Sequence, residues 1–298
     1  MGRLVVTDRT SVFHTDVALV DTGTMSEEGA AVDPPSPLVA SDTGTLAESV
    51  AIVSPGAFRV NEPTGYSPLV DHDFSTMTGW SNYTNSAPQP SATTGTDATE
   101  PVSPSSMVTI TLPINMASGP FPGREFSTGD RSELYVSFIY RIDSPYDYHS
   151  STVNKLFFIK TDQSASNNQV VVTLKGGSEG GAQVRATCQD PSNVGQPGWS
   201  ADYFTVNTGE AGTFALGTWH EIEVIVRQST GGLFNGDLEW WVDGTKLGNH
   251  LNVVKYKSTG DAVFRSVFAQ MYRGGNPASD PMDATALVKF GHLYASGV

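Results

Sequence analysis

From about Pro122 to the last residue, apolar and polar side chains alternate with a period of two. Leu134, Val136, Phe138, Tyr140 and Ile142 form one row, against Glu133, Tyr135, Ser137, Ile139 and Arg141. His220, Ile222, Val224 and Val226 form another, against Trp219, Glu221, Glu223, Ile225 and Arg227. Successive side chains of an extended strand point to opposite faces, so each run predicts a strand with one buried face. Similar runs occupy 155–160, 169–175, 182–188, 237–242, 251–256, 263–272 and 286–294, separated by clusters such as Gly176-Gly177 and Asn276-Pro277. Asp243-Gly244 after Trp241-Val242 reads as a hairpin, because glycine tolerates the positive φ of a primed turn. About eight to twelve short antiparallel strands without a capped helix predict an all-β, two-sheet sandwich. Residues 106–114 supply an edge strand in this reading.

Before Pro122 the alternation disappears. Thirteen of the 18 prolines lie at or before Pro122, and no lysine precedes Lys155. Residues 84–106 are rich in Ser, Thr, Pro and Ala, with Val102 the single bulky apolar residue. Such a segment cannot bury enough surface to offset its ordering entropy, so it is a linker or is ordered by lying on something else. Further upstream, Asp21-Thr22-Gly23-Thr24-Met25-Ser26-Glu27 recurs as Asp42-Thr43-Gly44-Thr45-Leu46-Ala47-Glu48. Two copies do not make a solenoid. They read as two extended segments that gain order by docking. The predicted organisation is an assembly arm over 1–65, an acidic linker with edge strands over 66–121, and the sandwich over 122–298.

Composition narrows the function. Thirty-one acidic residues against 17 Lys+Arg give a formal charge of −14 in 298 residues, which disfavours binding to a phosphate backbone. No apolar run reaches the length of a membrane span, and Met1-Gly2-Arg3-Leu4 opens no signal-peptide core, so synthesis in a cytoplasm without a signal peptide is expected. Cys188 stands alone and cannot form an intrachain disulfide. Low charge and many aromatics make homo-oligomers an expectation.

Ser132-Glu133-Leu134-Tyr135-Val136, Lys155-Leu156-Phe157-Phe158, Trp219-His220-Glu221-Ile222-Glu223-Val224 and Gly236-Asp237-Leu238-Glu239-Trp240-Trp241-Val242-Asp243-Gly244 resemble, in this order, the concanavalin-A-like jelly roll of laminin-G-like and heparin-lyase-like domains. The resemblance implies two curved antiparallel sheets, the concave one often carrying a polysaccharide site. The Asp-Thr-Gly-Thr segments resemble the arms of virion proteins in tailed bacteriophages, which implies attachment to other virion proteins.

Several constellations bear on chemistry. Glu221 and Glu223 share a strand face, but the third acidic position of the glucanase strand pattern holds Val226 or Ile225, so a solvated outer face is the preferred reading. Arg131-Ser132-Glu133-Leu134 resembles part of the Arg-(Ser/Thr)-Glu-Leu strand of alginate-lyase-like jelly rolls. That resemblance implies Arg131 and Glu133 as site residues, with Gln270 and Tyr272 beside them and Tyr272 as base and acid. The family's Gln-(Ile/Val)-His strand is absent, and its Tyr-x-Lys-x-Gly-x-Tyr strand is not matched at 270–274, so the reading leans towards a non-catalytic domain. Gly176-x-Ser178-x-Gly180 matches a nucleophile pattern but precedes a return strand, which makes it a hairpin turn. Asp71-His72-Asp73 and the Asp237/Asp243 bracket are the places a structural Ca²⁺ would choose, although neither has the ligand density of a calcium loop. Sugar-stacking candidates are Trp80, Tyr83, Trp199, Tyr203 and Tyr272, and one of Trp240 and Trp241 must point away from the core.

The leading expectation is a structural protein of a tailed-phage virion surface, on capsid or tail, displaying a jelly roll that contacts host glycan. Its arm would bury Val17, Leu19, Leu38, Val50 and Ile52 against a partner. The alternatives are a polysaccharide lyase and a free carbohydrate-binding module.

Overall fold

The computed structural model describes residues 58–81, 88–117, 119–149, 153–161, 169–176, 182–189, 214–257, 259–274 and 280–298. Its strands, in chain order, are β1 (Ser67–His72), β2 (Ser91–Gly95), β3 (Met107–Leu112), β4 (Gly119–Arg131), β5 (Glu133–Ile142), β6 (Val153–Thr161), β7 (Gln169–Gly176), β8 (Ala182–Gln189), β9 (His220–Arg227), β10 (Gly236–Val242), β11 (Thr245–Val254), β12 (Phe264–Arg273) and β13 (Ala286–Gly297). No described helix is long and apolar enough to cross a membrane.

All pairings are antiparallel and form two sheets. The eight-stranded sheet runs β11-β10-β9-β5-β13-β3-β2, with β1 on the later half of β13. The five-stranded sheet runs β4-β12-β6-β7-β8. The chain changes sheet between β3 and β4, β4 and β5, β5 and β6, β8 and β9, β11 and β12, and β12 and β13. The hairpin predicted at Asp243-Gly244 joins β10 to β11, with φ of 50° and 75° at its two central residues. Gly176 pairs with Ala182, so the Gly-x-Ser-x-Gly run links two antiparallel strands.

The alternation works as the sequence predicts. Leu134, Val136, Phe138, Tyr140 and Ile142 of β5 all lie in the core between the sheets, with Val224, Phe290, Phe157 and Val172 from both sides. Phe138 meets Phe74 in a stack (5.7 Å) and the edges of Tyr140 and Phe290 (5.4 and 5.1 Å). Truncating such a ring costs about 3–5 kcal/mol. Trp240 is fully buried, and its Nε1 donates to the carbonyl of Val184 in the opposite sheet (3.2 Å). Its neighbour Trp241 faces the other way, onto Tyr135, Ile225 and Tyr294.

Two parts of the organisation differ from the expectation. Residues 58–66 belong to the sandwich: they form a strap across the outer face of the larger sheet. Phe58 packs on Met107, Ile139 and Trp219, while Tyr66 packs on the cluster around Tyr135. Residues 66–121 supply three strands of that sheet, with β2 at its edge and β3 one place inside. Their Ser/Thr-rich composition suits an edge strand whose side chains are largely exposed. The repeated segments and Val17, Leu19, Leu38, Val50 and Ile52 lie outside the described residues.

Candidate functional site

Glu221 and Glu223 lie on the outer face of the larger sheet, but they are not solvated. The strap covers them: Arg59 N donates to Glu221 Oε1 (2.9 Å), and Asn61 donates through its N and Nδ2 to Glu223 (3.0 and 2.7 Å). Ser137 Oγ donates to Glu221 and Tyr135 Oη to Glu223, both at 2.6 Å. Every one of these donors is neutral. Burial accordingly pushes the Glu221 carboxyl up to about 7, with Glu223 and Asp243 adding to the effect. These carboxylates hold the strap.

The residues proposed around Arg131 do not share one surface. Arg131 is the last residue of β4 in the five-stranded sheet, whereas Glu133 opens β5 in the other. The Arg-Ser-Glu-Leu run is therefore a sheet-to-sheet crossing at Ser132 and not a single strand. Glu133 accepts from Arg227 Nε (3.0 Å) and from Tyr66 Oη on the strap side. Gln270 and Tyr272 do lie together, on β12. Trp80 is half-buried against the core, stacked on Phe290 (6.0 Å). Tyr83, Trp199 and Tyr203 lie outside the described residues.

Asp71 binds His292 Nε2 (2.7 Å), and Asp73 accepts from the N–H of Ser75 (3.0 Å). Asp237 accepts from Arg227 and Asn252 N (3.1 and 2.7 Å), and Asp243 from Glu221 N (2.9 Å). Among the described residues no group of three or more His, Cys, Asp and Glu is placed to hold a metal ion.

The outer face of the five-stranded sheet has a different character. Val267, Ala269 and Met271 of β12 point into the core, so Phe268, Gln270 and Tyr272 point out. On β6, Leu156, Phe157 and Ile159 all lie in the core, because a bulge between Lys155 and Phe157 shifts the register. That extra residue places Lys155, Phe158 and Lys160 together on the outside. Phe158, Val171, Phe268 and Tyr272 form an apolar cluster on this face. The Lys155 ammonium lies 5.2 Å from the Tyr272 ring centroid, and Lys160 lies 4.4 Å from that of Phe268. Rings capped by cations in this way are favourable by about 0.5–2 kcal/mol each.

Lys160 Nζ also donates to Glu125 Oε2 of β4 (2.6 Å), and Ser266 Oγ to Oε1 (2.5 Å). Burial opposes the charge on Glu125, but these bonds prevail and hold its carboxyl below the ordinary range. Gln270 Nε2 donates to Phe121 O (2.9 Å). At Gly123, opposite Gln270, a Cβ would sit 2.6 Å from the Cβ of Gln270, so glycine lets β4 approach.

Tyr272 pairs directly with Lys155 across β12 and β6, Lys155 with Thr173 on β7, and Thr173 with Arg185 on β8. Among the described residues no carboxylate pairs with Lys155 or Arg185. Burial pushes the Lys155 pKa down. The half-buried amine thus lies against the ring of a tyrosine. Of these, the Lys155–Lys160 pair escapes a reading by strict alternation, which would set the two on opposite faces. The signal available was the spacing Lys155, Phe158, Lys160.

Alginate lyase Aly36B is similar, with a TM-score of 0.53 and 13% identity, covering 77% of this chain and 96% of that one. A variant of it with a lysine and a tyrosine changed to alanine, in complex with alginate tetrasaccharide, gives 0.50 and 15%, covering 64% and 81%. The chain is a jelly roll. An endo-β-1,4-glucuronan lyase from the fungus Trichoderma reesei aligns with a TM-score of 0.49 at 13% identity, covering 78% of this chain and 96% of its own. No family model and no curated protein matches the chain. Nothing in these comparisons supports the likeness of the N-terminal segments to phage arms.

Proposed function

We propose that the protein binds an acidic polysaccharide on the outer face of the five-stranded sheet and cleaves it by β-elimination. The observation that carries this reading is the direct Tyr272–Lys155 pair, an amine lowered by burial above a phenol, with no carboxylate bound to the amine among the described residues. The fold shared with alginate lyase Aly36B supports it, and so does a cluster of cations on a chain of net charge −14. The lyase alternative of the sequence thereby replaces the virion role as the leading reading.

In this mechanism Lys155, as the neutral amine, takes the proton from the uronate carbon next to the carboxylate. The electron pair forms the ring double bond as the glycosidic oxygen leaves from the adjacent carbon, and Tyr272 Oη protonates that oxygen. Transfer of the proton from Lys155 to solvent and back to the phenolate restores the pair. Gln270 offers its second N–H to the substrate carboxylate.

The test is absorbance of the unsaturated product on incubation with alginate or glucuronan. Lys155→Ala and Tyr272→Phe should each lose at least about 100-fold in kcat/KM. A lowered amine pKa places the rising limb of kcat/KM against pH below the ordinary lysine value, and Lys155→Ala should abolish that limb. Absence of both turnover and binding would overturn the proposal.

A further inference from the structure

Three polar side chains distant in the sequence meet at β13, in the sheet opposite the one that carries Lys155 and Tyr272. His292 follows the bulge that Gly291 makes in β13. Phe290 and Leu293 point into the core, so the His292 ring stands on the outer face, with the Phe58 ring of the strap perpendicular to it at 5.5 Å. Its Nε2 meets Asp71 Oδ1 of β1, and its Nδ1 meets Ser103 Oγ of the loop between β2 and β3, both at 2.7 Å. A carboxylate only accepts, so Nε2 carries the ring proton and Nδ1 accepts from the serine hydroxyl. Ser103 is half-buried and opens a turn, closed by Ser106 N to its carbonyl (2.9 Å), whose central residues Pro104 and Ser105 are exposed. Burial, helped by Arg59 and opposed by Asp71 and Asp73, holds the imidazole below the ordinary histidine value, which keeps it a neutral base at pH 7.

A hydroxyl, a neutral imidazole and a carboxylate in hydrogen-bonded series are the parts of serine acyl transfer, here with the two ring nitrogens exchanged. We propose that Ser103 is a nucleophile, activated by His292 and positioned through Asp71, that transfers acyl groups from small neutral esters to water. Ser103 Oγ bonds the acyl carbon as His292 Nδ1 takes its proton, and the ester alcohol leaves with that proton. Water, deprotonated by the same nitrogen, then releases the acid and restores the serine. Glu100 sets the substrate class. Its Oε2 already accepts the N–H of Ser103, so that donor is not free for an oxyanion, and the carboxyl groups of Glu100, Asp71 and Asp73 disfavour anionic esters. One such donor is worth about 10²–10³ in rate, so turnover is slow and favours esters with a good leaving group.

The experiment treats the full chain with diisopropyl fluorophosphate, locates the adduct by peptide mass spectrometry, and follows hydrolysis of p-nitrophenyl acetate. The expected adduct is on Ser103. Labelling should fall in acid with a midpoint below pH 6.5, the group titrating being His292; Asp71, Asp73 and His72 face it from the β1 side, Arg59 from the strap and Glu100 from the loop before Ser103. His292→Gln should slow labelling and hydrolysis by at least about 100-fold and remove the pH dependence, and Asp71→Asn should slow both by at least about tenfold. A triad that only ties the loop to β13 would give neither selective labelling nor this profile. No adduct on Ser103 of the unaltered chain, or a rate independent of pH between 5 and 8, overturns the proposal without recourse to any variant. Equal labelling of folded His292→Gln, checked by circular dichroism, overturns it as well.

Discussion

Glu100 is a carboxylate enclosed without a cation. It is 3% exposed, its Oε2 accepts from the N–H groups of Val102 and Ser103, and its Oε1 is buried with no partner. Burial pushes its pKa from 4.5 up to about 7, and Asp97 adds to the shift. The native state therefore binds the proton more tightly than the unfolded chain. Stability from this group is full below pH 4.5 and is lost as pH rises through 7. His72 and His292, held below the ordinary histidine value chiefly by burial, act in the opposite sense over part of that window. A difference between variants isolates the carboxyl: Glu100→Gln should gain about 2 kcal/mol relative to wild type between pH 5 and 7.5, read from urea unfolding at each pH. An unchanged difference would mean that the carboxyl titrates normally. Little of this was legible beforehand, because Glu100 sits in a segment whose composition reads as a linker.

At the level of elements, the strap shows where sequence reading stops. The alternation from Glu133 onward reports which face of each strand is buried, and β5, β8 and β9 follow it closely. It says nothing about what covers the outer face. Glu221 and Glu223 look solvated in part because the strap reaches them through the main-chain N–H groups of Arg59 and Asn61, and a main-chain donor leaves no mark on sequence pattern. Those contacts span 162 positions. Removing the Asn61 amide leaves one buried carboxylate oxygen of Glu223 without its donor, which costs about 1–3 kcal/mol. Asn61→Ala should speed hydrogen exchange over 58–66 and leave the exchange of β6 and β12 as it was. The bulge in β6 escaped for a related reason: a period-two reading assumes no inserted residue.

Across the whole molecule, charge is distributed unevenly. The strap side gathers carboxylates, and Arg227 and Lys246 are bound by Glu133, Asp237 and Glu239. The outer face of the five-stranded sheet keeps Lys155 and Arg185 without a described carboxylate. A local cationic surface on an acidic body attracts an anionic ligand at short range while the net charge repels it at long range, so salt has two effects. At moderate ionic strength screening removes the repulsion first, and above it the short contacts weaken. Polyuronate affinity should therefore pass through a maximum with added salt, and a monotonic fall would place the ligand elsewhere. The sandwich class was legible from alternation alone. The location of the site was not, because it depends on which strands become neighbours.

The register across this face has one more consequence. From the Tyr272–Lys155–Thr173 rung to the Phe268–Phe158–Val171 rung, β12 takes four residue steps, β6 three and β7 two. Strands of unequal length between the same two rungs cannot lie flat, so the longer ones arch out of the plane while β7 runs straight. The relief of this surface is thus a count of backbone residues and does not depend on side-chain bulk. Changing side chains repaints such a surface, and only an insertion or deletion in β6 or β12 reshapes it.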